Sequence, residues 1–256
     1  MLSMKNKIVM VTGASAGIGY SCAKIFAEAG ARLILAARRA SKLNKLAENL
    51  VKKYKTESVV IELDVRDQQQ VEQKIGGLPA KWKKIDLLVN NAGLSRGLAK
   101  LHEGELNDWE EMIDTNIKGL LYVSRTVIPL MVKRNKGHVI NIGSIAGRQV
   151  YPGGNVYCAT KFAVDALTQG MQIDLVDTSV RVSTVDPGLV ETEFSQVRFH
   201  GDKERAKTVY QGLKPLTGDD IADAVFWVAT RPPHVNVHQV LIMPKDQAAA
   251  TIVNRK

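Results

Sequence analysis

The stretch "TGASAGIG", Thr12 to Gly19, follows the apolar run "KIVMV" and opens the helical pattern "GIGYSCAKIFAEAG". Three glycines in a strand-to-helix turn have separate uses. Gly13 permits a tight turn, Gly17 lets the backbone approach a pyrophosphate, and Gly19 lets helix and strand pack closely. The first N–H groups of the helix then face the anion. Three residues separate the first two glycines, where the usual dinucleotide fingerprint has one. A glycine-rich turn can be purely structural, so its meaning depends on what surrounds it.

Outward from this turn, apolar runs alternate with helical patterns. "RLILAA", "SVVIELDV", "IDLLVNNAG", "HVINIGS", "VRVSTVDPG" and "QVLIMP" are further short runs rich in Val, Ile and Leu, and the segment from Ser41 to about Tyr54 reads as an amphipathic helix. Runs this apolar are strands buried on both faces. The pattern predicts an α/β chain: a single-domain, Rossmann-type doubly wound sheet of seven parallel strands with helices on both faces, spanning 1–256. Such sheets bind ligands outside the carboxyl ends of their strands. "TGASAGIG", "NNAG", "GSIAG" and "DPGLVET" each follow a strand directly and are expected to line one crevice.

Composition narrows the function classes. Hydrophobic residues make up 45% and charged residues 24%, well away from the signature of disorder. The apolar run at the N-terminus reads as a first strand and not as a signal peptide. No apolar stretch approaches the roughly 20 residues that cross a bilayer. Cys22 and Cys158 are too few for a disulfide framework or a thiolate metal site, so no metal and a cytoplasmic, reducing location are expected. The net charge of +9 invites an anionic partner, but the basic residues are dispersed and aromatic residues are only 5%, which argues against nucleic acid. A solvated face or an anionic small molecule accounts for the charge.

The second strand ends in "LAARR". A site for NAD offers an acid there, to hold the ribose hydroxyls. Arg38 and Arg39 stand in that region instead, and a guanidinium pairs with a 2′-phosphate where a carboxylate would repel it. This points to NADP(H). Solvated strand-end arginines are the alternative, which leaves the missing acid unexplained.

Together, "TGASAGIG", "NNAG", Asn116 in "DTNIKG", Ser144 in "NIGSIAG", Tyr157 and Lys161 in "YCATK", and "DPGLVET" resemble the short-chain dehydrogenase/reductase superfamily, from about Lys7 to Met243. The order and spacing of these motifs carry the resemblance, since Tyr and Lys four residues apart are ordinary surface decoration when alone. The resemblance implies an oxidoreductase acting on CH–OH groups through Asn116, Ser144, Tyr157 and Lys161. Tyr157 would be the base in oxidation and the acid in reduction, Ser144 would hold the substrate oxygen, and Lys161 would bind the nicotinamide ribose. Asn116 would position a water linking Lys161 to solvent. A tyrosine ionises near pH 10, and lowering that by three would take roughly 4 kcal/mol, part of which a neighbouring ammonium can supply.

The same resemblance implies the cofactor contacts. Gly13, Ser15, Gly17, Ile18 and Gly19 would meet the pyrophosphate turn, and Arg38 and Arg39 the 2′-phosphate. Asp64 and Val65 would meet adenine; Asn90, Ala92 and Gly93 would pass beside the adenosine ribose. Pro187, Gly188, Val190 and Thr192 would cover the nicotinamide. A homotetramer is the usual assembly of the resembled family.

The substrate end rests on a polar segment, "EFSQVRFHGDKERAKTVYQG", within an expected lid at about 189–214; a tail follows at 244–256. Arg198 in the lid and Arg148 beyond "GSIAG" are the candidates for holding a substrate carboxylate, and Arg198 could equally be a surface residue. "VYCATKFAV", "VRFHGD" and above all "RPPHVNVHQVLIMPKDQ" resemble the NADP-dependent 3-hydroxy acid dehydrogenases, which act on serine, allo-threonine and relatives such as 3-hydroxyisobutyrate. The alternatives are an NADPH-dependent carbonyl or 3-oxoacyl reductase and a non-catalytic NADP-binding regulator. The intact Ser144, Tyr157 and Lys161 speak against the regulator.

Overall fold

In the computed structural model, which describes residues 2–256, each apolar run becomes a strand. They are β1 (Ile8–Thr12), β2 (Arg32–Ala37), β3 (Ser58–Glu62), β4 (Leu87–Asn90), β5 (Gly137–Ile142), β6 (Val180–Pro187) and β7 (Gln239–Ile242). All pair in parallel, in the order β3-β2-β1-β4-β5-β6-β7.

Successive side chains on a strand point to opposite faces, and that period divides the core in two. Val9, Val11, Leu33 and Leu35 enter one cluster, while Ile8, Met10 and Ile34 enter the other. The first cluster is closed by α1 (Gly17–Glu28), α2 (Ala40–Tyr54) and α9 (Gly218–Ala229), through Phe26, Leu46 and Val225 among others. The second is closed by α3 (Gln68–Gly76) and α5 (Gly119–Lys133), through Ile75, Val127 and Met131. The amphipathic helix expected from Ser41 begins at Ala40 and ends at Tyr54.

Strand order reverses direction at β1, whose two neighbours are β2 and β4. At this point the crossover connections leave on opposite faces of the sheet, and a crevice opens above it. Asn91 staples the two strands there: its side chain donates to Thr12 O at 2.9 Å, while its backbone N–H donates to Thr12 Oγ1 at 3.0 Å.

Three other elements shape the crevice. α4 (Leu106–Ile113) runs into α5 through a π-helical turn, Asp114–Lys118, which contains Asn116. Such wide turns are frequent at functional positions. α6 (Asn155–Asp174) carries Tyr157 and Lys161 on its buried side. The expected lid contains two short helices, α7 (Phe194–Arg198) and α8 (Lys203–Thr208), and it is tied internally where Ser195 Oγ meets Tyr210 OH at 2.7 Å.

Candidate active site

A cleft of about 690 Å³ opens along the carboxyl ends of the strands. Its first end is the β1–α1 turn. Gly13 (φ +66°) and Gly17 (φ +54°) both adopt the left-handed backbone that side chains disfavour, and a Cβ on Gly13 would fall 2.8 Å from the Asn91 amide. No side chain caps the N-terminus of α1 and no acid lies in its first turn, so its leading N–H groups stay free for an anion. Ser15 and Ile18 line this end as expected. Gly19 does not line it. A Cβ there would run into Gly13 O and the Asn91 amide, so this glycine keeps the turn tight instead of touching a ligand.

At the adenine end, Arg38, Arg39, Asp64 and Val65 line the cleft. Arg39 donates to Ser15 Oγ at 3.0 Å and pairs with Glu193 at 2.7 Å. Asp64 is partly desolvated, which favours its neutral form, but hydrogen bonds from Arg66 prevail and hold its carboxyl below the usual range. Ala92 and Gly93 form the floor.

Asn90, expected beside the adenosine ribose, has its side chain committed elsewhere. Its side chain points beneath the floor, donating to Ser124 Oγ at 2.9 Å and Asn141 Oδ1 at 3.0 Å. The neighbouring Asn91 faces the cleft in its place.

The chemistry end brings Ser144, Tyr157 and Lys161 together on one wall, facing Pro187, Gly188, Val190 and Thr192. Lys161 Nζ donates to Ile142 O at 2.9 Å. Burial pulls its ammonium down to about 8, against the opposing attraction of Asp186. Burial likewise pushes the Tyr157 phenol well above its ordinary range, while the charge of Arg198 and the hydroxyl of Ser144 act in the other direction. Lys161 and a charged nicotinamide are the expected contributors to that ionisation; the structure adds Arg198, whose guanidinium lies 5.2 Å from the centre of the phenol ring.

Asn116 lies behind the floor and does not line the cleft. Both N–H bonds of its amide are used, one on Leu94 O at 2.8 Å and one on Thr160 Oγ1 at 3.0 Å, and its Oδ1 accepts from Leu94 N at 2.9 Å. The residue therefore locks the floor to α6, with Gly93 between it and Lys161.

The two candidate arginines part company. Arg198 lines the cleft, its guanidinium 5.2 Å from the Tyr157 ring centroid. Its Nε donates to Ser95 Oγ at 3.0 Å and one terminal nitrogen to Tyr151 OH at 2.7 Å. Its other terminal nitrogen makes no hydrogen bond among the described residues. Arg148 is a correction: it lies outside the cleft, its terminal nitrogens turned to Asp165 at 2.6 Å and Asp186 at 3.1 Å and not toward the substrate space.

Several lining residues escaped the sequence reading. Leu94, Leu98, Tyr151 and Phe194 give the chemistry end an apolar rim, and the Phe194 and Tyr157 rings meet edge-on with centroids 5.6 Å apart. The tail also reaches the cleft through Ala250, Thr251, Val253 and Arg255, and Gln247 accepts from Leu189 N at 2.8 Å. Among the described residues no helix is long and apolar enough to cross a membrane, and no cluster of three or more His, Cys, Asp or Glu could hold a metal.

The family pattern described as short chain dehydrogenase matches residues 7–203. The chain belongs to this family. Within the short-chain dehydrogenases it is 49% identical over 244 residues to the NADP-dependent 3-hydroxy acid dehydrogenase YdfG of Salmonella typhi, covering 95% of this chain and 97% of that protein. It is 43% identical over 257 residues to the NADP-dependent 3-hydroxy acid dehydrogenase of Schizosaccharomyces pombe, covering 100% of this chain and 99% of that one. Among solved structures, the closed form of a serine dehydrogenase complexed with NADP+ matches with a TM-score of 0.91 and 46% identity, over 97% of this chain and 100% of that one. Short-chain dehydrogenases are oxidoreductases, and the resemblance drawn from the motifs holds over most of the chain.

Proposed function

We propose that this short-chain dehydrogenase uses NADP(H) to interconvert the C3 hydroxyl of short 3-hydroxy acids, serine and allo-threonine among them, and the corresponding carbonyl. The observation that carries the reading is Arg198: a guanidinium in the cleft, beside Tyr157, with one terminal nitrogen uncommitted. A guanidinium so placed holds a substrate carboxylate and sets the neighbouring hydroxyl against the phenol. The names of the relatives point the same way.

The residues fit the cofactor. The uncapped α1 N-terminus and the turn at Gly13 and Gly17 suit a pyrophosphate, and Arg38 and Arg39 suit a 2′-phosphate. When bound, NADP supplies the hydride acceptor or donor. The chain supplies the rest. Ser144 holds the substrate oxygen. Tyr157 takes the hydroxyl proton in oxidation and returns it in reduction. Lys161, fixed by Ile142 O, keeps a positive charge beside the nicotinamide ribose site, and Asn116 keeps the floor and α6 in register.

We also infer a homotetramer in the cytoplasm. Supporting it are apolar side chains left exposed on α5 (Leu121, Val132), α6 (Phe162, Ile173), α9 (Trp227) and β7 (Leu241), together with two buried free thiols. Light scattering tests the assembly. The activity is tested by following nicotinamide absorbance with NADP or NAD against L-serine, L-allo-threonine, 3-hydroxyisobutyrate and a simple secondary alcohol. Reduction of NADP by the hydroxy acids alone is the expected result. Turnover confined to ketones or 3-oxoacyl groups would discard the substrate and keep the catalytic residues.

A further inference from the structure

The cations at the adenine end are already paired with acids, Glu193 of the lid and Glu111 of α4. Glu193, the residue immediately before α7, divides its carboxylate between two of them: Oε2 accepts from Arg39 Nη1 at 2.7 Å and Oε1 from Lys42 Nζ at 2.7 Å. Arg39 completes its own set on Ser15 Oγ, at 3.2 Å from Nε and 3.0 Å from Nη2. The third cation, Arg38, lies 3.7 Å from Glu111, and the other oxygen of Glu111 accepts from Arg96 Nε at 2.6 Å. Arg96 also donates to Val197 O, near the far end of α7. A negative charge from the lid thus sits where an anionic ligand of Arg39 and Lys42 would be held, and the lid helix is tied at both ends toward the same corner.

We propose that Glu193 is the internal counter-ion of the 2′-phosphate subsite, and that it competes with that phosphate for Arg39 and Lys42. The inference deepens the NADP reading above and rests on it. Side chains of Arg39, Lys42 and Glu193 are 45%, 46% and 41% exposed, so each pairing is screened by water and weak enough to exchange. A phosphate monoester carries about −1.5 to −2 near neutral pH and offers three oxygens, so it displaces a single carboxylate. Displacing the carboxylate breaks its pairings with Arg39 and Lys42, so Glu193 lowers affinity for the phosphorylated cofactor and leaves the unphosphorylated one untouched. Glu193 thereby narrows the preference for NADP over NAD that Arg38 and Arg39 create.

The test is the dissociation constant of each cofactor, from calorimetric titration of the whole protein without substrate. Glu193→Gln keeps the shape and removes the charge; it should tighten NADP about two- to fivefold, the range of one exposed ion pair, and leave NAD unchanged. Glu193→Ala should move NADP in the same direction. In an Arg39→Ala, Lys42→Ala background the Glu193→Gln effect should vanish. Unchanged or weaker NADP binding would overturn the proposal by making Glu193 a support for Arg39. Equal tightening of both cofactors would overturn it too, by tracing the effect to lid opening. A wild-type protein that binds NAD as tightly as NADP would instead break the cofactor reading, independently of Glu193.

Discussion

Arg198 reaches from the lid helix α7 to lie 5.2 Å from the centre of the Tyr157 ring on α6, so one guanidinium faces both the proton-transfer group and the space for substrate. Two functions meet in that position. Its free nitrogen can bind a carboxylate, and its charge favours the phenolate that burial disfavours.

Replacing Arg198 by Ala should therefore change two measurements. KM for serine should rise about 10- to 100-fold, the worth of a charged hydrogen bond, while KM for an alcohol without a carboxylate barely moves. The pH profile of oxidation should also shift to higher pH, because the phenol loses the cation that helps it ionise. Equal KM changes for acid and alcohol would place the carboxylate elsewhere.

Tyr157→Phe removes a hydroxyl and little volume. Turnover should drop by about 10²- to 10⁴-fold, the span of one general acid–base group, with NADP affinity measured by titration close to wild type. Substantial turnover in this variant would move the proton transfer to another residue.

Arg38 lines the cleft and stands 3.7 Å from Glu111, a loose pairing that a phosphate can replace. Arg38→Asp puts an acid at the strand end, where NAD enzymes have one. NADP should bind about 10- to 100-fold more weakly, and NAD should hold or gain. An unaltered ratio of the two dissociation constants would mean that Arg38 serves only the ion network of Arg66, Arg96 and Glu111.

Strands and their end loops could be read from the sequence because buried parallel strands are short and mostly apolar, as at Ile8–Thr12 and Leu87–Asn90. The motif turns follow those strands directly, so their arrival at one crevice needed only the general rule for open sheets. What failed depended on distance in the chain or on a single alternation. Arg148 is neutralised by Asp165 and Asp186, and nothing local announces that three separate segments meet. Asn90 and Asn91 are adjacent and chemically identical, yet one points below the sheet end and the other into the cleft. The tail reaches the site through contacts distant in the chain, among them Gln247 and Arg255, which fasten it to the lid segment, the latter through Val209 O and Gln211 O.

Lys161 yields a prediction about stability. Burial lowers its folded value to about 8 from 10.5, so between those limits the unfolded chain holds the extra proton and stability rises with pH. Below pH 8 the buried ammonium costs about 3 kcal/mol. The Tyr157 phenol, raised by burial, adds an opposite trend only above about pH 10, where unfolded tyrosine ionises. Lys161→Met should thus unfold at higher denaturant than the wild type at pH 7, by as much as about 2 kcal/mol once the bond to Ile142 O is subtracted. That advantage should shrink as the pH climbs from 8 to 10. Urea titrations of both proteins across this range decide it: a constant difference would mean that Lys161 keeps its proton throughout, and that its charge is compensated inside the fold.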